Sequence, residues 1–264
     1  VKTVMNDTSR IFDSGAATDV GKVRAQNEDS YLVLVESGVW AVADGMGGHE
    51  AGQLASATVV DALQTIVDAH SITELLSRCR ERLNSANRRL LQISDAQGGI
   101  VIGATVATLL ACQGYYACVW SGDSRIYLVR GGKLSQISRD HTEVAELVAE
   151  GVLSEEEAQS WPRRNVITRA VGVHEDLEVD VAQGVLEKGD TFVICSDGLT
   201  SHVSDAEILE AVLTNAPQSA CDALVALTMD RGASDNVTVV MARYAPRGST
   251  VVFPGASPMA RWGA

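Results

Sequence analysis

Strand-like runs in this chain are short, and several of them stop on an acid. Residues 30–35 and 39–43 form an expected hairpin joined by Glu36-Ser37-Gly38. Past Gly45-Met46-Gly47-Gly48 the apolar period lengthens to three or four. Val59, Ala62, Leu63, Ile66 and Val67 mark the buried stripe of a helix of about 20 residues. A second helix opens with the capping box Ser71-x-x-Glu74 and turns Leu75, Cys79, Leu83, Ala86 and Leu90 to one side. Its other face carries Arg78, Arg82 and Arg89, most simply a solvated surface. Residues 100–111, 115–121 and 125–130 then read as an antiparallel meander, turning at Gln113-Gly114, Gly122-Asp123-Ser124 and Gly131-Gly132-Lys133.

The pattern changes over residues 141–165. Two short helical segments, 143–150 and 154–160, lead to Trp161-Pro162-Arg163-Arg164, an excursion from the sheet. The strand period resumes at 177–181 and 191–196. Val203-Ser204-x-x-Glu207-Ile208 combines a capping box with a hydrophobic staple and starts a helix. Pro217 opens another that runs to about residue 230, and 237–243 is the last strand. Residues 1–12 read as a lead-in strand or arm. From Pro246 onward the Pro, Gly, Ser and Ala content is that of a tail or linker. Strands come in hairpins and helices in adjacent antiparallel pairs, without β-α-β alternation. That favours an α+β architecture with helices layered on antiparallel sheets. The expected organisation is one domain over residues 1–245 and a tail over 246–264.

At 264 residues, 46% hydrophobic and 21% charged, the chain can bury a substantial core in one large domain. Its formal charge of −13 argues against nucleic-acid binding, since phosphates would be repelled and the densest basic cluster is only Arg163-Arg164 with Arg169. Five cysteines with no CxxC pair point to reduced thiols and a cytoplasmic setting. Cys118 and Cys195 lie inside apolar runs, and Cys112 and Cys118 lack the further ligands zinc would need. No apolar run approaches the roughly 20 residues that span a bilayer. The N-terminus, with Lys2, Asn6, Asp7 and Arg10, lacks the apolar stretch of a secretory signal.

The acids that end the strands carry the chemistry. Trp40-Ala41-Val42-Ala43-Asp44-Gly45, Val119-Trp120-Ser121-Gly122-Asp123 and Val193-Ile194-Cys195-Ser196-Asp197-Gly198 each run from apolar into acidic. Asn27-Glu28-Asp29 and Ser234-Asp235-Asn236 instead precede strands. One edge of an antiparallel sheet collects strand ends and neighbouring strand beginnings, so all five clusters can gather there. Crowded carboxylates repel and resist desolvation unless a cation sits among them. Oxygen-only ligation points to Mg²⁺ or Mn²⁺. In Asp44-Gly45 the glycine permits the carboxylate and the next carbonyl to face one cation. Asp-Gly is also among the commonest turn dipeptides, a discount that applies equally to Asp197-Gly198. A bridging carboxylate, flanking carboxylates from separate strands and a nearby arginine are what a two-metal phosphoryl hydrolase needs. Arg24 offers a bidentate grip on phosphate, or simply an ion pair with Glu28. Gly47-Gly48 lacks the GK[ST] ending of a phosphate-binding loop, and no GxGxxG is present.

Arg24-x-x-Asn27-Glu28-Asp29, Ala43-Asp44-Gly45-Met46-Gly47-Gly48-His49, Gly103-Ala104-Thr105, Ser121-Gly122-Asp123-Ser124-Arg125, Ser196-Asp197-Gly198-Leu199 and Ser234-Asp235-Asn236 follow one another in order. Together, across about residues 14–244, they resemble the metal-dependent protein phosphatases (PPM, protein phosphatase 2C type) in their compact bacterial form. The resemblance implies a four-layer αββα sandwich, two antiparallel β-sheets flanked by antiparallel helix pairs. It implies a phosphoric monoester hydrolase that cleaves phosphoserine and phosphothreonine on proteins with a metal-bridging water and no phosphoenzyme. Two Mn²⁺ or Mg²⁺ ions are expected: Asp44 bridging, Asp197 and Asp235 completing the first, Glu28 and the Gly45 carbonyl serving the second. Asp29 would hold metal-bound waters and Arg24 the substrate phosphate. Bacterial members often hold a third ion, to which Asp123 and Asp197 would contribute. Residues 142–165 match the family's flap, where Arg163 and Arg164 either touch substrate or are solvated.

One position departs from some eukaryotic relatives, which carry histidine where this chain has Met46. A histidine follows at His49, with three roles open: proton donor, orienter of a metal-bound water, or helix cap. The implied partners are phosphorylated proteins, among them a serine/threonine kinase and its targets, met by a monomer. The other readings are a hydrolase of small phosphoesters and an inactive phosphoprotein-binding scaffold. Retention of every expected carboxylate weighs against the last.

Overall fold

The computed structural model describes residues 11–47, 51–67 and 69–246. Its strands are β1 (Phe12–Asp19), β2 (Asp29–Leu34), β3 (Val39–Gly47), β4 (Ile102–Ala104), β5 (Val106–Cys112), β6 (Tyr115–Ser121), β7 (Arg125–Arg130), β8 (Lys133–Gln136), β9 (Asp180–Val185), β10 (Thr191–Cys195) and β11 (Val237–Tyr244). The helices are α1 (Ala51–Gln64), α2 (Ile72–Ala96), α3 (Glu143–Ala149), α4 (Glu155–Gln159), α5 (Asp197–Thr200), α6 (Asp205–Thr214) and α7 (Pro217–Asp230). One antiparallel sheet runs β2-β3-β5-β6-β9, with β4 beside the end of β3; the other runs β1-β11-β10-β7-β8.

Strand alternation sorts the apolar residues into three layers. On β3, Val39, Ala41 and Ala43 face α1 and α2, where Leu63, Cys79, Leu83 and Leu90 complete a first core. Trp40 and Val42 point the other way, into the sheet-on-sheet core with Leu109, Ile126, Phe192 and Ile194. On the far sheet, Val193, Cys195, Val239 and Met241 turn outward onto Ile208, Val212, Ala220 and Leu224 of α6 and α7. Helix pair, sheet, sheet and helix pair stack in that order, the expected αββα sandwich. Fully burying a side chain such as Phe192 contributes ~2–3 kcal/mol.

Several expected boundaries move. The helix expected to carry Ile66 and Val67 ends at Gln64; Ile66 stays buried just past it while Val67 is 64% exposed. Residues 100–111 divide into β4 and β5 at Thr105, whose backbone turns aside to accompany Asp44. The meander is not one sheet: β6 and β7 lie in different sheets, and Gly122-Asp123-Ser124 crosses between them. Gly122 has φ +109°, a left-handed backbone that suits glycine. The strand expected at 177–181 forms instead as β9, with Leu177 and Val179 packing on the helix-side core ahead of it. Strands β1 and β8 lay outside the expectation. β1 is poor in large apolar residues and is held by β11 on one side. On the other, the Gln218 carboxamide accepts from Ala16 N–H (3.1 Å) and donates to its carbonyl (2.9 Å). Most of the predicted lead-in arm (1–12) and C-terminal tail (246–264) lies outside the described residues.

Candidate metal centre

β2 begins at Asp29 and β3 reaches Asp44 directly opposite it in the cross-strand register. The Gly45 N–H then donates to the Glu28 carbonyl (3.1 Å), which fixes Glu28 beside the same strand end. From the other sheet, β10 delivers Ser196 and Asp197, while β11 starts just after Asp235 and Asn236. Two side-chain bonds stitch the sheets together here. Ser196 Oγ donates to Asp29 Oδ2 (2.8 Å), and the Glu28 N–H donates to Asn236 Oδ1 (2.8 Å). Asp123 arrives on the crossover. The charges of Asp29, Asp197, Asp123 and Asp235 all act on Asp44, so the five acidic clusters meet at one end of the sandwich.

Gly45 is required by space. A Cβ there would stand 1.9 Å from the Gly52 carbonyl oxygen and 2.8 Å from that of Glu28. Gly198 is hemmed in the same way, its Cβ position 1.9 Å from the Asn236 carbonyl oxygen. In both Asp-Gly pairs the glycine lets a second backbone close on the acid.

The electrostatics follow from burial. Asp44 is held well above the usual carboxylate range, first by desolvation and then by Asp29, Asp197, Asp123 and Asp235. Burial raises Asp29 to about 7, assisted by Asp197 and Asp235 and opposed by the Thr238 and Ser196 hydroxyls. Asp123 also rises to about 7, through burial and then Asp197 and Asp140. Asp197 moves upward from burial and Asp235, and Glu28 from burial against the pull of Arg24.

These features fit a divalent cation. The donors are all oxygens, the neighbouring acids penalise one another, and the buried Asp29 Oδ1 has no hydrogen-bond partner. Among the described residues, no three acidic, histidine or cysteine side chains are drawn tightly enough to hold an ion as they stand. Asp235 has both oxygens engaged, Oδ2 with Arg24 Nη2 (2.7 Å) and Oδ1 with the Asn236 N–H (2.8 Å). The ion pair considered for Arg24 thus forms with Asp235 rather than Glu28.

Around the acids stands a supporting set in which Thr105, Ser124 and Arg125 belong to the quoted motifs without an expected role, and Asp140, His141 and Asp180 belong to none. Thr105 Oγ1 accepts from the Asp44 N–H (3.1 Å), Thr105 N–H donates to the Asp44 carbonyl (2.8 Å), and its hydroxyl meets Ser124 Oγ (2.7 Å). Asp140 grips Arg125 through two oxygens, Nε to Oδ1 (3.0 Å) and Nη2 to Oδ2 (2.7 Å), behind Asp123. His141 Nδ1 accepts from Gly122 N–H (3.2 Å), which leaves the ring proton on Nε2 to face Asp180 (3.1 Å). In the excursion, Arg163 pairs with Glu143 (2.9 Å), which also accepts from Trp161 Nε1 (3.3 Å). His49 lies outside the described residues.

A protein phosphatase 2C family model matches residues 22–231, and the chain belongs to that family. The serine/threonine protein phosphatase PstP of Mycobacterium tuberculosis is 39% identical over 228 residues, 86% of this chain; the chain spans only 44% of that relative's length. The protein phosphatase PhpP of Streptococcus pneumoniae is 34% identical over 235 residues, covering 85% of this chain and 94% of PhpP. Among solved structures, PppA, a key regulatory component of T6SS in Pseudomonas aeruginosa, superposes with a TM-score of 0.83 at 40% identity, covering 89% of this chain and 98% of PppA. The catalytic domain of PstP in complex with two manganese ions gives 0.81 at 35% identity, covering 89% and 99%.

Proposed function

We propose that this chain is a Mn²⁺- or Mg²⁺-dependent protein phosphatase acting on phosphoserine and phosphothreonine. The observation that carries the reading is the meeting of Glu28, Asp29, Asp44, Asp123, Asp197 and Asp235 at one strand edge, with a buried oxygen of Asp29 unpartnered. Asp44 would share its carboxylate between two ions, with Asp197 and Asp235 on the first and Glu28 and the Gly45 carbonyl on the second. Asp29 would hold waters there, and Asp123 with Asp197 would serve a third ion. Such ions supply charge against the phosphoryl oxygens and acidify water. Arg24, 48% exposed at its side chain and two-pronged, is suited to orient the phosphate from the solvent side. The Thr105, Ser196 and Asn236 bonds hold the acids in place and limit the reorganisation that hydrolysis requires.

On this reading residues 1–245 are one catalytic domain with residues 142–165 as its flap, and His49 is a candidate proton donor. The setting is bacterial signalling in the cytoplasm, by a monomer opposing a serine/threonine kinase. Among the described residues no helix is long and apolar enough to cross a membrane. The test is turnover of a phosphothreonine peptide and p-nitrophenyl phosphate with Mn²⁺ or Mg²⁺, against excess EDTA and against Asp44→Ala. Loss of activity in both controls is expected; undiminished turnover in either would refute the assignment.

A further inference from the structure

Acids outnumber bases 34 to 21 in this chain, so an arginine on its surface has carboxylates to pair with. Arg24, Arg78, Arg125, Arg130, Arg163, Arg169 and Arg231 all do so. Four exposed arginines of α2 do not: Arg80, Arg82, Arg88 and Arg89 have no side-chain hydrogen bond or ion pair among the described residues. With Glu81 the stretch 80–89 carries a net +3, from four arginines and one glutamate, within a protein of −13, so the densest basic cluster lies here and not, as expected, at Arg163-Arg164 with Arg169. At 100° per residue these arginines spread across the whole outward side of α2. Short side chains at Ser77, Asn84 and Ser85 leave a trough of 740 Å³ lined by Arg80, Arg82 and Arg88 together with Glu81, while Arg89 lies outside it. Leu76 gives it one apolar contact.

We propose that this trough docks an acidic segment of a partner protein, an extended run of aspartate, glutamate or phosphorylated residues. Arg80 to Arg88 spans about 12 Å of helix, the length of three to four extended residues, so a short acidic run laid in the trough can meet its three guanidiniums. Residues 247–264 of the chain itself carry Arg247 and Arg261 and no acid, which makes them a poor electrostatic match. The buried side of the same helix, opposite this face, is tied towards the candidate metal centre. Asn87, beside Arg88, accepts from Gly172 N–H (2.6 Å) and donates to the His174 carbonyl (2.8 Å). Val171 bridges Ala104, and Ala104 lies opposite Gly45. A substrate held on α2 would keep its phosphorylated residue at raised local concentration near the carboxylates once the segment between dock and phosphosite is long enough to pass from the outward face of the helix to the site. That catalytic consequence rests on the phosphatase reading; the docking itself does not.

The experiment measures fluorescence anisotropy of a labelled Gly-(Asp-Glu)₃-Gly peptide, with its Asn/Gln analogue as control, at low and high salt. Preference for the acidic peptide by about tenfold or more at low salt is expected, collapsing as ionic strength rises. The preference should vanish in the fourfold Arg→Gln variant and in the fourfold Arg→Glu variant. These exposed changes should leave the melting temperature unmoved. In a second arm, an acidic run appended to a phosphothreonine peptide should lower KM for the native chain, with kcat unchanged, and not for the variants. Equal binding of the two peptides, or binding that survives Arg→Glu, overturns the proposal. So does light scattering that shows a dimer which Arg→Glu dissolves, since the occupant would then be a second copy. Absence of turnover on any phosphopeptide would fail the phosphatase reading while the anisotropy arm still decides docking.

Discussion

Replacing Gly45 by alanine tests the geometry of the metal centre with a single methyl group. Gly45 does not have positive φ, so the substitution carries no left-handed strain and its whole effect is steric. The added Cβ would meet the Gly52 oxygen at 1.9 Å, the Gly52 carbonyl carbon at 2.4 Å and the Glu28 oxygen at 2.8 Å, all backbone atoms. Reaching even 3.0 Å from the first requires β3 and the start of α1 to part by about 1.1 Å. Overpacking of this kind costs ~1–3 kcal/mol, and stretching the Gly45 N–H to Glu28 bond adds ~1 kcal/mol. A loss of about 2–4 kcal/mol lowers the melting temperature of a chain this size by roughly 5–15 °C. The same displacement moves the Gly45 carbonyl and Glu28, so Mn²⁺ affinity measured by calorimetry should fall at least about tenfold. Gly99→Ala is the control: it has φ +82° but open space around its Cβ, and should cost only ~1 kcal/mol with Mn²⁺ binding intact. A Gly45→Ala protein within about 0.5 kcal/mol of the native one would refute the steric argument.

Two further outcomes follow from the same edge. Asn236 is 4% exposed and spends its carboxamide on Glu28 N–H, the Val20 carbonyl and the Gln26 carbonyl, so Asn236→Ala should cost about 2–4 kcal/mol in urea unfolding. A value below 1 kcal/mol would mean the 20–28 loop is held by something else. Asp29→Asn should stabilise the chelated protein while abolishing turnover, because the charge removed is one that burial disfavours. With Asp29 raised from 3.8 to about 7, the native state binds the extra proton between those values. Its contribution to stability is therefore highest below pH 4, declines as pH climbs towards 7 and is level above. The gap between Asp29→Asn and the native chain, read as melting temperature in EDTA, should widen over that window to about 1–3 kcal/mol. An unchanged gap from pH 4 to 8 would contradict the burial of this carboxylate.

What the sequence made legible was whatever a short window can encode. Asp44 and Asp197 announce themselves because an apolar run buried on both faces has to end where water begins, and an acid marks that end. The capping boxes at Ser71 and Ser204 are local hydrogen-bond patterns, and Ser204 opens α6 as a reciprocal cap; the one at Ser154 that opens α4 was not anticipated. Long-range facts stayed hidden. Arg24 finds Asp235 across 211 residues, a choice that spacing to Glu28 could not reveal. The Gly122 crossover reads like any tight turn, since a hairpin and a step between sheets use the same few residues. β1 escaped notice because Asp13-Ser14-Gly15-Ala16-Ala17-Thr18 has almost no large apolar side chain. Its strand identity comes from β11 and from Gln218, not from its own pattern. Asp140, isolated between Arg139 and His141, carries no motif, yet it positions Arg125 behind Asp123.

The placement of the acids also explains how a fold tolerates them. Asp29, Asp44, Asp123 and Asp197 each sit where burial opposes their charge, so each weakens the folded state at neutral pH. They are confined to one end of the strands, leaving the three apolar layers uninterrupted. A cation that binds the folded chain alone, at a hundred times its Kd, restores ~2.7 kcal/mol. That is comparable to the penalty expected for one such carboxylate. Affinity for the ion and stability of the edge are therefore the same quantity seen from two sides, and a substitution that relieves the charge must weaken the site it stabilises.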